Sequence, residues 1–474
     1  MRVLANKNHS ITGIKWVWQS GKQTGNISTS FVSPGSRSES GFWLDDKKRI
    51  FYLFGGRTYD STNKKYVLSN DVWMLNMTTL DRWKLLPPKS KHGQMPSPRY
   101  SPSVCGISDT MVLVYGGIDK DGKRLGDTWI FELLSNTWEK LGTSNGTKFN
   151  APLERGDQSS WCLNDQLVLY GGRNSEFILY HDMWSFSLIS LKWTEMESSK
   201  KYPTSQIGQN IVSYPKSRSG ATTFSTPGEN NLYLFGGNTG EYKNLGQAQI
   251  NEKYTTDLWK YDLAEDSWTK LGGHDDICHW GTYGHLESGS KENWPGCRIK
   301  ASGWIDTSKN LWMFGGNGAD SVTNSEPNKL LNDLWQYDFT FKMWTWMGGN
   351  KYGNTGGNYD NSKSESHPGS RSGFVWWNEW GNYQYIYGGI GQDTNGKNGL
   401  LADLWTIDIH IKVVYGEYPS IGSIFMIVFG LCALVLVIAV LSLYNRNFFK
   451  SPENNDRKWL DTEYSRLHNV DDHN

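Results

Sequence analysis

The sequence lacks an excess of charge of either sign, since 48 Lys and Arg residues balance 48 Asp and Glu residues. A chain without a net field has no electrostatic reason to bind nucleic acid or another charged polymer. Cysteine is scarce, with five residues in 474, so a dense disulfide framework is excluded while a single bridge is compatible. Aliphatic residues are modest in number, whereas Gly reaches 51, Trp 24 and Tyr 24. The core must therefore rest on aromatic rings, each of which buries a large area.

A short pattern recurs six times along the chain. An alternating apolar run ends in an aromatic residue and a Gly-Gly pair, whose first members are Gly55, Gly116, Gly171, Gly236, Gly315 and Gly388. Asp-x-Trp follows each pair, with the indoles at Trp73, Trp129, Trp184, Trp259, Trp335 and Trp405. A second Trp comes nine or ten residues later, at Trp83, Trp138, Trp193, Trp268 and Trp344. An Arg precedes each pair by 16 to 18 residues, at Arg37, Arg99, Arg155, Arg218, Arg298 and Arg371.

Each repeat predicts four short strands: one after the Arg, one ending at Gly-Gly, one carrying Asp-x-Trp and one beginning at the second Trp. Repeats of four strands, 55 to 79 residues apart, are typical of propeller blades with extended loops. The pattern resembles the kelch-repeat family over residues 16 to about 415, and most resembles the long-looped kelch modules of attractin-like cell-surface proteins. The expected fold is therefore all-β, a six-bladed kelch-type β-propeller. The repeated Arg and Asp residues are interpreted as buried ion pairs between strand ends, because a binding site seldom needs one residue six times.

The sixth repeat has Val414 where the second Trp is expected, while Trp16-Val17-Trp18 reads as a fourth strand without a repeat of its own. We expect this N-terminal strand to complete blade six and close the ring, because closure removes exposed sheet edges. The propeller would then occupy residues 16–416, after an N-terminal segment of residues 1–15. The alternative is that Trp16 belongs to a lost seventh blade and that residues 411–415 close blade six.

Residues 421–444 contain no charged side chain over 24 positions. As a helix the segment would reach roughly 36 Å, enough to cross a hydrocarbon core of about 30 Å, so it predicts one C-terminal transmembrane helix. The polar tail, 445–474, carries four basic residues close to the helix: Arg446, Lys450, Arg457 and Lys458. This asymmetry favours a cytoplasmic tail and an extracellular or lumenal propeller.

The first 15 residues contain no apolar stretch that could act as a secretory signal. Two explanations remain open. Either the start of the protein is missing, or the chain inserts late through its C-terminal helix and keeps a cytosolic propeller tail-anchored to an organelle membrane. In the second case the protein would be a cytosolic scaffold.

Long loops before blades five, six and one suggest a binding surface, because functional residues concentrate on loops carried by rigid scaffolds. Their aromatic residues Trp280, Tyr283, Tyr352 and Tyr359 are the candidate partner contacts. The alternative is that these aromatic residues pack on the blade below. Within one of the loops, Cys278 and Cys297 are a candidate disulfide if the domain is lumenal.

The remaining cysteines and the glycosylation sequons complete the candidate features. Cys105 and Cys162 read as small core residues, and Cys432 falls in the apolar run. Four sequons, at Asn8, Asn26, Asn76 and Asn145, are candidate N-glycosylation sites.

These features favour a single-pass membrane protein whose propeller binds a protein or glycan partner, as an adhesion, receptor or scaffold protein. No catalytic residue, cofactor or metal site is predicted, and nucleic acid is not an expected partner. The segment 274–285 contains His274, His279 and His285, but its spacing matches no regular zinc pattern. A galactose-oxidase-like enzyme is the remaining alternative, since that enzyme shares the kelch propeller. The Tyr, His and Cys–Tyr copper constellation that it requires is not recognisable in this sequence.

Overall fold

A computed structural model describes residues 7–30, 32–80, 82–143, 150–163, 165–196, 214–225, 229–240, 252–275, 277–323, 326–362, 366–378 and 383–415. Residues 11–412 form one compact unit, and residues 1–10 and 413–474 are assigned to a second. The predicted membrane segment 421–444 and the tail 445–474 lie outside the described residues. Over the ranges that are described, no helix has the length and apolar character needed to cross a bilayer.

The part of the chain that the structure describes is all-β, without a helix. Its first half contains β1 (Lys7–Lys22), β2 (Arg37–Ser38), β3 (Gly41–Asp45), β4 (Ile50–Asp60), β5 (Lys65–Asn76), β6 (Trp83–Leu86), β7 (Lys89–Ser90), β8 (Ser103–Gly106), β9 (Met111–Tyr115), β10 (Asp127–Glu132), β11 (Thr137–Thr143), β12 (Ser159–Cys162), β13 (Gln166–Tyr170), β14 (Met183–Ser187), β15 (Lys192–Glu195) and β16 (Thr222–Phe224).

The second half continues the same succession of short strands. It contains β17 (Asn231–Phe235), β18 (Leu258–Asp262), β19 (Ser267–Gly272), β20 (Arg298–Ile299), β21 (Ser302–Ile305), β22 (Leu311–Phe314), β23 (Asn317–Gly318), β24 (Lys329–Leu330), β25 (Leu334–Asp338), β26 (Met343–Gly348), β27 (Arg371–Ser372), β28 (Val375–Asn378), β29 (Tyr383–Tyr387), β30 (Ile390–Gln392), β31 (Asn398–Leu400) and β32 (Ala402–Tyr415).

Each sequence repeat forms one antiparallel sheet. The six sheets run β3-β4-β5-β6, β8-β9-β10-β11, β12-β13-β14-β15, β16-β17-β18-β19, β21-β22-β25-β26 and β28-β29-β32-β1, with β2 and β7 as additions to the first two. The last sheet takes its outer strand, β1, from the other end of the chain. Two small three-stranded sheets, β20-β23-β24 and β27-β30-β31, lie in the fifth and sixth repeats.

The sheets surround a common axis. The inner strands β3, β8, β12, β16, β21 and β28 contact one another in that order, and β28 contacts β3. Neighbouring repeats are also joined by one repeated hydrogen bond, in which the second glycine of each Gly-Gly pair donates its N–H to the carbonyl of the next repeated Arg. The last of these bonds runs from Gly389 back to Arg37 (2.8 Å), so the sixth repeat is bonded to the first.

The Gly-Gly pairs are required by this junction. Both glycines of every pair have φ between 61° and 105°, a backbone conformation that residues with a side chain rarely adopt. A Cβ on Gly171 would lie 2.6 Å from the Arg218 carbonyl oxygen, and one on Gly388 would lie equally close to that of Arg37. Any other residue would therefore push adjacent repeats apart.

The repeated Arg, Asp and Trp form a hydrogen-bonded triad in every repeat, and its guanidinium is buried in all six. Each guanidinium donates two hydrogen bonds to the carboxylate of Asp-x-Trp, at 2.6–3.2 Å. The indole N–H of the Trp donates to the same carboxylate at 2.6–2.8 Å. This geometry gives the repeated ionic residues the structural role expected of them, because every charge is paired and hydrogen-bonded.

Candidate partner-binding site

A ring of six equivalent residues lies at one end of the axis. Each member stands two positions after a repeated Arg and has a positive φ between 52° and 67°: Glu39, Ser101, Asp157, Gly220, Lys300 and Gly373. The backbone N–H groups of five of them donate to the carbonyl of the corresponding residue in the neighbouring repeat, at 2.6–3.1 Å. Between Ser101 and Asp157 the link is a side-chain hydrogen bond of 3.1 Å. The six residues therefore encircle the axis at this end of the inner strands.

The ring carries charged side chains at alternate repeats. The ammonium of Lys300 lies 2.9 Å from Oε2 of Glu39 and 3.0 Å from Oδ1 of Asp157. Arg173 pairs with the other oxygen of Asp157 at 3.0 Å, and Nε of Arg57 lies 3.9 Å from Oε1 of Glu39. We call these residues, with Ser101, the axial cluster. It contains three cations and two carboxylates, so it has an excess of positive charge.

The cluster is ionised because its members stabilise one another. Burial raises the pKa of the Glu39 carboxyl, but Lys300 and Arg57 outweigh burial and the pKa lies below its ordinary value. Burial also opposes ionisation of Asp157, yet Lys300 and Arg173 lower the pKa of this carboxyl strongly. Burial lowers the pKa of the Lys300 ammonium, and the two carboxylates more than reverse that effect and raise it.

Aromatic rings flank the arginines of the axial cluster. The guanidinium of Arg57 lies 3.8 Å from the ring centre of Tyr100. The guanidinium carbons of Arg124 and Arg173 lie 4.8 Å and 5.6 Å from the centre of the Phe177 ring. The Phe177 side chain is also exposed to solvent. Guanidinium groups held on aromatic faces remain charged and donate hydrogen bonds, so this surface can bind carboxylates of a partner.

The structure corrects two of the four predicted contact residues. Tyr283 and Tyr359 are buried, with 5% and 6% of their surfaces exposed. Their hydroxyls donate to Asp333 and Asp403, each at 2.7 Å, so both rings cap the Arg–Asp pairs of their repeats. These aromatic residues therefore pack on the sheet below, as the alternative interpretation of the loops proposed.

The other two predicted residues differ from each other. Trp280 is partly buried and packs with Cys278 and Ile299 against the small cluster around Tyr254. Tyr352 is half exposed, at 50%, and the ammonium of Lys351 lies 5.4 Å from its ring centre. The structure does not bring Trp280 and Tyr352 together in one described site.

Four of the five cysteines are paired. Cys278 and Cys297 form a disulfide with a Cα–Cα distance of 5.2 Å. Cys105 and Cys162 form a second one, also with a Cα–Cα distance of 5.2 Å. The expectation that both are small core residues holds for Cys105, which is buried, but not for Cys162, which is exposed. The two are bonded because their strands β8 and β12 are neighbours at the axis.

The sequons occupy different environments. Asn76 is exposed at the end of β5. Asn26 is partly buried, and its side-chain oxygen accepts the Leu400 N–H at 3.0 Å. Asn8 lies within β1, and Asn145 falls outside the described residues.

Within the described ranges, no group of three or more His, Cys, Asp and Glu side chains could hold a metal ion. In the histidine-containing loop, His274 and His279 instead stack on each other with ring centres 3.9 Å apart.

Two family models match the chain. Residues 5–215 match the KLHDC2/KLHL20/DRC7 Kelch-repeats domain, and residues 220–273 match the Kelch motif, together more than half of the chain. An F-box/kelch-repeat protein of Arabidopsis thaliana is 34% identical over 139 residues, which cover 28% of this chain and 27% of the relative. Host cell factor of Drosophila melanogaster is 26% identical over 279 residues, 55% of this chain and 17% of the relative. Kelch domain-containing protein 10 of Homo sapiens is 26% identical over 152 residues, 32% of this chain and 33% of the relative. The similarity thus spans a third or less of these relatives.

Proposed function

We propose that this chain, which belongs to the kelch-repeat family and has its β-propeller fold, is a non-enzymatic binding protein whose partner is a protein with an acidic surface. Propellers of this family typically mediate protein interactions. In this proposal the six sheets are six blades spanning residues 16–416, and β1 completes the sixth blade. The partner docks at the axial cluster, on the side of the propeller where the Gly-Gly pairs lie.

The excess positive charge of the axial cluster is the observation that carries this proposal. Lys300 is surrounded by carboxylates, but the Arg57 side chain is 40% exposed and its Nε lies 3.9 Å from the Glu39 carboxylate. Its guanidinium therefore retains donors for an incoming carboxylate, while Tyr100 fixes its plane.

The test compares wild-type and variant chains. Each full-length chain is immobilised, and the proteins that it captures from an extract of its source cells are identified. Arg57→Glu should weaken binding of the specific partner at least about tenfold, because it removes donors and introduces repulsion. Arg57→Gln should have a smaller effect. Arg82→Glu is the matched control, since Arg82 is an exposed arginine in the connection between β5 and β6.

Binding at the cluster should also weaken as ionic strength rises, because exposed charges are screened over about 10 Å at 0.1 M salt. If every captured protein is retained by the Arg57→Glu chain, or is lost equally from the Arg82→Glu chain, the axial cluster is not the binding site.

For the location of the protein, we propose a single-pass membrane protein with an extracellular or lumenal propeller and a cytoplasmic C-terminus. The uncharged run 421–444 and the basic residues after it support this topology. The two disulfides support it independently, because disulfides persist in oxidising compartments and are rare in the cytosol. A glycan is the second class of ligand that such a location would offer.

A glycosidase mobility shift, paired with protease protection in intact microsomes, tests the topology. We expect a shift that decreases in Asn76→Gln, because Asn76 is the exposed sequon among those described. Asn26→Gln should change the shift less. An unshifted protein whose propeller is digested in intact microsomes would instead identify a cytosolic, tail-anchored scaffold.

A further inference from the structure

In the first repeat, the hairpin of the two middle strands extends beyond the Gly-Gly junction. β4 continues through its Gly-Gly pair to Asp60, whereas β9, β13, β17, β22 and β29 end at the aromatic residue before theirs. β5 begins at Lys65, and its pairing with β4 runs from Asp60↔Lys65 to Arg57↔Leu68 in this extension. The hairpin therefore projects past the junction by four residues, roughly 13 Å. We call residues 57–68 the arm.

The arm is held in place by its own hydrogen bonds and by the rest of the propeller. At its tip, the Asp60 carboxylate accepts the backbone N–H groups of Thr62 and Asn63 at 2.9 and 3.2 Å. The N–H of Ser61 donates to the hydroxyl of Ser28, in the loop before blade one, at 2.7 Å. At the base of the arm, β2 pairs with β4. Because the hairpin is already ordered, a partner can contact it without the loss of entropy that accompanies the ordering of a loop.

One face of the arm continues the surface of the axial cluster. Side chains alternate between the two faces of a strand, so Arg57 and Tyr59 of β4 share a face. Tyr66 lies opposite Tyr59 in the register and joins that face, with the two ring centres 5.8 Å apart. Arg57 contacts Glu39 and the Tyr100 ring. The two tyrosines therefore follow Arg57 outward from the axial cluster.

The tyrosine face of the arm is open to solvent. Tyr66 is 54% exposed and Tyr59 is partly buried, whereas Thr58, on the other face, is 5% exposed. Two exposed cations, Lys64 and Lys65, outnumber the carboxylate of Asp60 at the tip. The arm therefore presents aromatic rings within a positively charged region, a combination that suits an acidic partner.

The spacing of residues along the arm defines a spacing in a bound segment. Residues two apart in a strand are separated by about 7 Å, and Arg57 and Tyr59 are so placed along β4. An extended partner segment advances by the same length over two residues and presents their side chains on one side. A segment that runs along the arm with its carboxylate at Arg57 therefore places the side chain two positions away beside Tyr59 and Tyr66.

We propose that the arm is part of the partner site and selects a segment in which a large apolar side chain lies two residues from the carboxylate. This inference rests on the proposed function and adds a residue class that the axial cluster by itself does not select. Contact of the apolar side chain with Tyr59 and Tyr66 strengthens binding, while the bond to Arg57 fixes the position of the segment.

Selection from a phage-displayed library of random peptides, on the immobilised full-length chain, tests this spacing. We expect enrichment of peptides with Asp or Glu two positions from Trp, Tyr, Phe or Leu, in either order. The Tyr66→Ala chain should still enrich the acidic residue and lose the preference for the apolar one, whereas Tyr66→Phe should select as wild type does. Tyr383→Ala is the matched control, because Tyr383 is 47% exposed and lies at the end of β29 remote from its Gly-Gly pair.

The affinity of the most enriched peptide measures the contact with Tyr66. Replacing the apolar residue of the peptide by Ala should weaken binding to the wild-type chain at least about tenfold, and to the Tyr66→Ala chain less than about twofold. Fluorescence polarisation of the labelled peptides measures these dissociation constants.

The outcomes separate the role of the arm from the proposed function. Acidic peptides without an apolar residue at that spacing, or the same peptides on wild type and Tyr66→Ala, would overturn the role of the arm and leave the axial cluster as a site. Peptides without acidic residues, or the same acidic peptides on the Arg57→Glu chain, would contradict the axial cluster itself. A library without any enriched peptide would overturn the selection of an extended segment.

Discussion

The hydroxyl of Tyr283 donates a hydrogen bond of 2.7 Å to Oδ2 of Asp333, the carboxylate that also binds Arg298 and the indole of Trp335. A long loop is thereby tied to the buried triad of the fifth repeat. Aromatic residues in such a loop contribute to the stability of the domain before they can contribute to binding.

Tyr283→Phe should lower the free energy of unfolding by about 1.5–3 kcal/mol, because it removes a buried hydrogen bond to a charged group. Tyr352→Phe is the control, and its half-exposed ring should leave stability within about 0.5 kcal/mol of wild type. Urea unfolding measures both. Unchanged stability of Tyr283→Phe, together with reduced partner capture, would restore Tyr283 as a contact residue.

Arg218→Met should destabilise the protein by about 3–5 kcal/mol, since it leaves the Asp257 carboxylate buried without its partner. Lys120→Met removes one member of the exposed Lys120–Asp121 pair and should cost less than about 1 kcal/mol. The two unfolding curves should differ clearly in midpoint. Equal midpoints would show that the buried triads do not contribute to stability.

Stability should decrease at both ends of the pH range because of the axial cluster. The carboxyls of Glu39 and Asp157 have lower pKa values in the folded state than in the unfolded state, where the pKa is about 4. They therefore stabilise the folded state above about pH 4, and this contribution is lost as the pH falls towards their folded-state pKa values. The raised pKa of Lys300 contributes stability below its unfolded pKa, about 10.4, and this is lost as pH rises through the folded value.

Urea unfolding between pH 3 and 6 measures the acid side of this dependence, at intervals of about one unit. Glu39→Gln should make the dependence shallower, because one carboxyl with a lowered pKa is gone. Asp121→Asn, at an exposed position, should leave the slope as it is. The same slope in wild type and Glu39→Gln would remove Glu39 from the explanation.

Replacing Cys105 and Cys162 together by Ala should lower the free energy of unfolding by about 2–4 kcal/mol, because the bridge closes a loop of 57 residues. Peptide mapping without reductant should recover the two cysteines in one linked pair, separate from Cys278 and Cys297. Recovery of Cys105 and Cys162 as free thiols would show that β8 and β12 are not cross-linked.

The repeats are readable from the sequence because each depends on residues that recur at fixed spacing. Gly-Gly, Asp-x-Trp and the preceding Arg serve local junctions, so their positions indicate the strands and the buried triads. The orphan strand around Trp16 was likewise visible as a pattern without a repeat, and in the structure β1 lies beside β32.

Contacts between residues that differ from repeat to repeat could not be predicted in this way. Glu39, Asp157 and Lys300 occupy the same position in three repeats, but only the closed ring brings their side chains together. The sequence indicated the Cys105–Cys162 disulfide only weakly, through the position of both cysteines in the first strands of consecutive repeats. Tyr283 looked like a surface residue because its acceptor, Asp333, lies 50 positions further along the chain.

The contact of Lys300 with Glu39 and Asp157 bears on how the ring assembles. The glycine, arginine and tryptophan junctions are alike in all six repeats, so they cannot distinguish one neighbour from another during folding. The three charged side chains come from the first, third and fifth repeats and meet only when every repeat has taken its place around the axis. Their mutual stabilisation therefore requires the first, third and fifth repeats to be in place together, so an arrangement in which one of these repeats is missing or out of order lacks it.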